Sequence, residues 1–214
     1  MSRLKDTISE YQDAFKSKVP QEIQEIMIAA TKKLEDEKLS KNALKVGDIA
    51  NDFTLPNALG KEVSLNEVLD RNNFAIVSFY RGGWCPYCNI ELAALQQRNE
   101  EFKALGAELV AISPQSVDES LSTVEKNELK FEVLTDSNNL IAKEYGLVFS
   151  LADELKSIYE SFKIDIPTSN GEDSYELPMP ATYVINKNKE IVFSFISEDY
   201  TKRCEPQDIL DLIK

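Results

Sequence analysis

The sequence contains no histidine and a single tryptophan, Trp84, among 214 residues. Without imidazole there is no Ser-His-Asp or Cys-His nucleophile, no histidine metal ligand and no c-type haem attachment. Carboxylates could still hold magnesium or calcium. Positive charge is also scarce: 24 Lys and Arg face 37 Asp and Glu, a net charge of −13. A chain of that sign repels phosphate backbones unless it gathers a basic patch. No basic block interrupts the sequence, so nucleic acid and anionic membranes are disfavoured as partners. No apolar stretch stands behind the opening Met1-Ser2-Arg3-Leu4-Lys5-Asp6, so neither a secretory signal nor a spanning helix is expected, and the cytoplasm is the expected location. Cysteine is rare: two of the three residues are separated by only two positions and the third is far away. That is a poor disulfide framework for a secreted protein, whereas a close pair in a reducing compartment raises redox chemistry.

What is present suffices for a core. Hydrophobic residues make up 43% and charged residues 29%, ordinary for a soluble globular protein, and a chain of this mass should fold to a surface of roughly 10,000 Å². The length favours one domain with an extension. Residues 1–44 are read as an N-terminal helical extension and residues 45–214 as the folded domain. Pro20 suits a helix start, and after it Ile23, Ile26, Met27, Ala30 and Leu34 recur at helical spacing. Two amphipathic helices are therefore expected, packed on the domain or on a second subunit, and a homodimer is one expected outcome.

Further along, Phe53-Thr54-Leu55 and Val63 to Leu65 read as short strands around a turn at Gly60, and Phe74 to Tyr80 is an apolar run without alternation. Such a run suits a central strand covered on both faces. A helix from about residue 85 through 105, a strand at 109–113, a helix at 117–127, a strand at 131–134 and a short helix at 140–145 follow. Residues 152–162 read as helical and residues 167–176 as a polar loop. Ala181 to Ile185 and Glu190 to Phe195 flank Asn186-Lys187-Asn188-Lys189 as a hairpin, and residues 205–213 supply a last helix. The sum is an α/β/α sandwich with a mixed sheet.

The sharpest constellation is Arg81-Gly82-Gly83-Trp84-Cys85-Pro86-Tyr87-Cys88, between the central strand and an amphipathic helix. With Cys85 at the cap and Pro86 at the first helical position, the free amides of the opening turn would favour a Cys85 thiolate. Cys88 lies one turn on, on the same face, and can close a disulfide with Cys85. Gly82 and Gly83 would clear bulk from before the sulfur, Arg81 would bring positive charge, and Trp84 would cover one side. A zinc site would need two more ligands, yet only Cys204 remains, so no metal is expected. Cys204 itself reads as a free thiol. Tyr80, Tyr87 and Phe149 are candidates for an apolar entrance, with ordinary packing as their simpler role. All of this chemistry assumes that both sulfurs share one solvent-open helix mouth.

At these residues the chain resembles the thioredoxin-fold superfamily, specifically the branch of peroxiredoxins and alkyl hydroperoxide reductases. The resemblance runs from about Leu44 to Ile213. It is carried by Val46-Gly47-Asp48, Asp52-Phe53-Thr54-Leu55-Pro56, Val63-Ser64-Leu65, Ile112-Ser113-Pro114-Gln115-Ser116, Leu134-Thr135-Asp136 and Tyr145-Gly146. It implies a thioredoxin-like three-layer sandwich and a thiol-dependent peroxidase without metal or organic cofactor. Hydrogen peroxide or an organic hydroperoxide would be the substrate, and thioredoxin or a similar dithiol donor would regenerate a Cys85–Cys88 disulfide. The chain departs from the peroxiredoxin Pro-x-x-x-Thr-x-x-Cys loop: Arg81 stands at the Pro, Cys85 at the Thr and Cys88 at the attacking cysteine. Pro180 stands where the family has an arginine before the late strand. Pro180-Ala181-Thr182-Tyr183 instead is similar to the cis-proline segment of disulfide reductases, which implies a cis Pro180 beside Cys85. Family correspondence thus selects Cys88 as peroxide nucleophile and helix-cap physics selects Cys85. A thiol–disulfide oxidoreductase and a noncatalytic redox sensor are the rival functions.

Overall fold

The computed structural model describes residues 3–214. Two helices, α1 (Leu4–Lys18) and α2 (Gln21–Glu37), break at Pro20 and lead to a hairpin of β1 (Thr54–Pro56) and β2 (Glu62–Ser64) and to α3 (Leu65–Arg71). Strands and helices then alternate through β3 (Phe74–Phe79), α4 (Pro86–Ala104), β4 (Ala107–Ser113), α5 (Val117–Asn127) and β5 (Glu132–Thr135). After α6 (Leu140–Glu144) come β6 (Val148–Ser150), α7 (Asp153–Ser161), α8 (Ile166–Asn170) and β7 (Glu176–Pro178). The hairpin β8 (Ala181–Asn186) and β9 (Ile191–Ile196) and helix α9 (Pro206–Ile213) close the chain.

The central sheet runs β5-β4-β3-β8-β9. β3, β4 and β5 are parallel, joined by crossovers through α4 and α5, while β8 lies antiparallel to both β3 and β9. The apolar run of β3 does not alternate because both of its faces are covered. Val77 and Tyr183 enter one apolar layer with Leu65, Val68 and Tyr145, whereas Ile76 and Val184 enter another with Leu95, Phe102, Ile209 and Leu210. This is the expected three-layer sandwich with a mixed sheet, and its exposed surface of 10223 Å² matches the size expected from mass.

Three local expectations are corrected. The segment read as a strand through Leu65 turns into α3 at that residue. The Ser64 side chain accepts the Glu67 N–H at 3.2 Å and the Glu67 carboxylate accepts the Ser64 N–H at 3.2 Å, a capping box that starts a helix. The polar loop at 167–176 overlaps α8 and reaches β7, which pairs with β6. Finally, among the described residues no peptide bond is cis, so Met179–Pro180 is trans. The reason is continuity: Pro178 pairs with Val148, the Met179 N–H donates to Leu147 at 2.8 Å, and Ala181 pairs with Phe79. An extended chain held on both sides of Pro180 leaves no turn for a cis bond to make.

The N-terminal helices dock on their own chain. Leu4 and Ile8 of α1 are buried against α4, and the Glu205 carboxylate accepts the Leu4 and Lys5 amides at 3.2 and 2.9 Å. That anion at a helix N-terminus satisfies donors the helix leaves open. Ala30, Ile23, Ile26 and Met27 of α2 pack against Leu155, Ile158 and Tyr159 of α7.

Candidate active site

The carboxyl end of β3 delivers the chain into a tight loop before α4. Gly82 has φ +151°, and a Cβ there would come within 2.3 Å of the Trp84 ring nitrogen. A Cβ on Gly83 would meet the Thr123 hydroxyl at 2.2 Å. Both glycines are thus required by close approach, but the space they leave is filled by Trp84 and Thr123 rather than left open for substrate. Buried Gln115 holds the loop by accepting the Gly83 N–H at 2.7 Å, and Asn89 donates to the Gly83 carbonyl at 2.7 Å. Cys85 is the N-cap of α4, Pro86 opens the helix, and Cys88 follows one turn on.

The expected open helix mouth is overturned. Cys85 is 2% exposed and Cys88 fully buried. Both sit in an apolar cluster with Leu4, Ile8, Tyr80, Tyr87 and Leu92, with Tyr11, Trp84 and Tyr200 against it. The cover is the amino-terminal arm: Tyr11 meets the Tyr87 ring edge-on at 5.1 Å, and Tyr87 meets Tyr200 at 5.5 Å. The apolar residues of α1 thereby find the burial their spacing asked for, at the expense of the sulfurs' exposure.

Burial has not silenced the pair. Burial works to raise Cys85, yet hydrogen bonding from the Cys88 thiol, the charges of Arg81 and Arg203, and the Cys88 backbone N–H bring it down to about 6. Cys88 goes the other way: burial and its bond to a Cys85 thiolate hold it well above the ordinary thiol value. The arrangement is a buried cysteine pushed down beside a buried cysteine pushed up, with the charges of Arg81 and Arg203 acting on both.

Those cations are held differently. Arg203, with a side chain 1% exposed, donates to Cys88 Sγ at 3.3 Å and pairs through Nε with Glu91 at 2.7 Å. Burial pushes Glu91 up to about 7 against the opposing pull of Arg203. Arg81 has no carboxylate partner among the described residues. It donates to the Tyr159 hydroxyl, and its guanidinium stacks over Trp84, Tyr159 and Tyr200 at 5.0, 5.6 and 4.5 Å from their ring centres.

The structure therefore gathers Cys85, Cys88, Arg81 and Trp84. It leaves Thr182 inside the sheet, paired with Ser78 and Phe195, and Pro180 in the extended run before it. Tyr80 is core, bonded to Gln115, while Tyr87 forms part of the cover and Phe149 lines a cavity. Cys204 is free and buried in a separate apolar cluster. Residues not anticipated are Arg203, Glu91, Gln115, Tyr159 and Tyr200. Glu91 had a signal, three positions after Cys88 on one helix face; Arg203, 115 residues from Cys88, had none. Among the described residues no cluster of acidic, cysteine or histidine side chains forms a metal site, and no helix is long and apolar enough to cross a membrane.

The AhpC/TSA family pattern matches residues 46–205. A putative peroxiredoxin bcp of Buchnera aphidicola is 35% identical over 104 residues, 49% of this chain and 65% of that protein. Peroxiredoxin Bcp of Escherichia coli is 29% identical over 106 residues, 50% of this chain and 67% of that protein. The matched segment is thus about two thirds of these relatives' length. Among solved structures, Peroxidoxin BcpB from Mycobacterium tuberculosis has TM-score 0.62 at 20% identity, covering 79% of this chain and 96% of that one. The reduced 2-Cys peroxiredoxin of Plasmodium vivax has TM-score 0.60 at 19% identity, covering 79% and 80%. At such identities the likeness is one of fold.

Proposed function

For a chain that belongs to the AhpC/TSA family, the peroxiredoxin branch of the thioredoxin fold, we propose a thiol-dependent peroxidase with Cys85 as attacking nucleophile and Cys88 as resolving thiol. The observation that carries it is the asymmetry of the pair: Cys85 held down to about 6 and Cys88 held high, one turn apart at the start of one helix. At neutral pH the sulfur that is ionised is Cys85, and only the thiolate attacks.

The Cys85 thiolate attacks the terminal peroxide oxygen; an S–O bond forms, the O–O bond breaks, and an alkoxide or hydroxide leaves. Arg81 offers positive charge to that departing oxygen, and the Cys88 thiol is the adjacent proton source. The Cys88 thiolate so formed attacks the Cys85 sulfur; the S–S bond forms and hydroxide departs, taking a proton from solvent as water. Sulfur has given two electrons and peroxide has taken them. A dithiol donor of thioredoxin type restores the pair through a mixed disulfide. Because the sulfurs are covered, that partner can reach them only after Tyr11, Tyr87 or Trp84 gives way. The reducing cytoplasm is the location that suits this cycle.

Brief peroxide treatment followed by mass spectrometry tests the assignment. Cys88→Ser is expected to gain one oxygen on Cys85 and stop, whereas Cys85→Ser loses turnover with a dithiol donor by about 10³-fold or more. Oxygen trapped on Cys88 in the Cys85→Ser variant would reverse the roles. The position of the pair at a helix N-cap also suits exchange with protein disulfides, but the trans Met179–Pro180 bond takes away the docking edge expected for that reading. A homodimer would need surfaces other than the faces α1 and α2 already use, and light scattering over a concentration series tests it.

A further inference from the structure

We propose that the cavity between α2 and α7 binds an amphiphilic carboxylate, its hydrocarbon chain among the apolar side chains and its carboxylate on the Arg81 guanidinium. The inference goes beyond the peroxidase reading and does not rest on it, since neither Cys85 nor Cys88 lines this cavity. The cavity measures about 360 Å³, within the roughly 300–1,000 Å³ of small-molecule pockets. Ala30 and Leu34 of α2, Phe149 of β6 and Leu155 of α7 line it, together with Arg81 and Tyr159. Residues of α2 precede the matched segment 46–205, so part of the lining comes from outside the family pattern.

Two independent observations set the chemistry of that ligand. The first is a buried charge without an anion. Arg81 is 2% exposed, its hydrogen bond among the described residues goes to the Tyr159 hydroxyl, and its Nε has no partner there. Arg203, with a side chain 1% exposed, is paired with the Glu91 carboxylate at 2.7 Å, whereas no carboxylate among the described residues does this for Arg81. The ring faces of Trp84, Tyr159 and Tyr200 attract the cation but do not take the Nε–H. A buried guanidinium disfavours unused donors, and a carboxylate is the acceptor its planar fork fits. The second observation is the lining. Aliphatic and aromatic side chains make up most of it, and the opposite charges of Lys33 and Glu37, which also line it, offset each other. An inorganic anion would leave that apolar surface uncovered, and a neutral hydrocarbon would leave Arg81 unpaired. A carboxylate on an alkyl chain answers both, bringing one negative charge to Arg81 and burying its chain against the walls.

The test titrates the full chain, reduced, with octanoate, hexanoate and 1-octanol by isothermal calorimetry. Octanoate is expected to bind saturably at one site, hexanoate roughly tenfold more weakly for its shorter chain, and octanol about tenfold or more weakly for its missing charge. Arg81→Met should bring octanoate down to the affinity of octanol. Thr31→Phe and Ser150→Phe fill the cavity from α2 and from β6 and leave Arg81 in place; each should weaken octanoate about tenfold or more. Octanol binding as tightly as octanoate marks a hydrocarbon site indifferent to charge and overturns the assignment, as does the absence of saturable octanoate binding. Both of these are read on the parent chain, so the assignment is decided even where a variant does not fold. Undiminished octanoate binding in folded Arg81→Met, or in both folded cavity-filling variants, places the ligand elsewhere and overturns it as well. Peroxide turnover, measured separately, decides the peroxidase reading alone.

Discussion

Cys85 and Cys204 are both withdrawn from solvent, at 2% and 3% exposure, yet their surroundings drive them apart. Cys204 lies among Ile76, Leu95 and Ile209 with Glu91, Asp208 and Glu205 as its charged neighbours; burial and those three carboxylates all push its thiol up. Around Cys85 burial pushes the same way, but a thiol donor and two guanidinium groups reverse the outcome. Depth in the protein therefore does not by itself set the direction in which a thiol shifts; the sign of the buried charges beside it does. Glu91 stands between the two regions, neutralising Arg203 on one side and repelling a Cys204 thiolate on the other.

The largest effect that would break this contrast is removal of Arg203. Arg203→Met should raise the Cys85 pKa and, by stranding Glu91, cost about 3–5 kcal/mol of stability. Adding Glu91→Gln should recover most of the stability while leaving Cys85 raised, a separation read by thermal melts and by the pH profile of alkylation. If the double variant also regains the low pKa, Arg203 is not what holds Cys85 down.

The contrast sharpens with pH. Alkylation of Cys85 in the reduced protein should follow a midpoint of about 6 and level off above it, while Cys204 stays unreactive through neutral pH. The folded Cys85 pKa lies below the ordinary 9.0, so the folded state holds fewer protons than the unfolded chain between those values. Its contribution to stability is fully present above about 9, shrinks as pH falls, and is gone below about 6. Denaturant midpoints of the reduced protein across that window check the sign, and the disulfide form should lack this component.

Loosening the cover is expected to act on rate more than on pKa. Ile8→Ala removes a buried contact of α1 over the cysteine cluster, and the alkylation rate of Cys85 should rise several-fold at a fixed pH with an unchanged midpoint. The smallest effect is expected at Cys204: Cys204→Ser should alter peroxide turnover less than about twofold and cost about 1–2 kcal/mol in a melt, for placing a hydroxyl in an apolar site.

Legibility followed the range of the forces involved. The non-alternating run of β3, the hairpin around Asn186 to Lys189 and the Pro86 helix start are local patterns, and each lies where the sequence placed it. The capping box at Ser64 and Glu67 was equally local and identifies α3 once the reciprocal pairing is sought. The pairing of β6 with β7 was hidden because two three-residue strands 25 residues apart carry no periodicity long enough to read. The extended course through Pro180 is set by neighbours on both sides, which a resemblance to another family's segment does not supply.

By itself the sequence determined the layered α/β architecture, the placement of Cys85 and Cys88 on the first turn of one helix, and the absence of imidazole from any chemistry the chain performs. Apolar periodicity, proline geometry and residue inventory are properties of the chain and need no partner to act. Only the tertiary structure decided that α1 would cover the sulfurs, that Arg203 would come from beyond the last strand to Cys88, and that Arg81 would line a cavity to which α2 and α7 both contribute. Burial and Coulomb interactions depend on distance in space, and residues a hundred positions apart have none until the chain has folded.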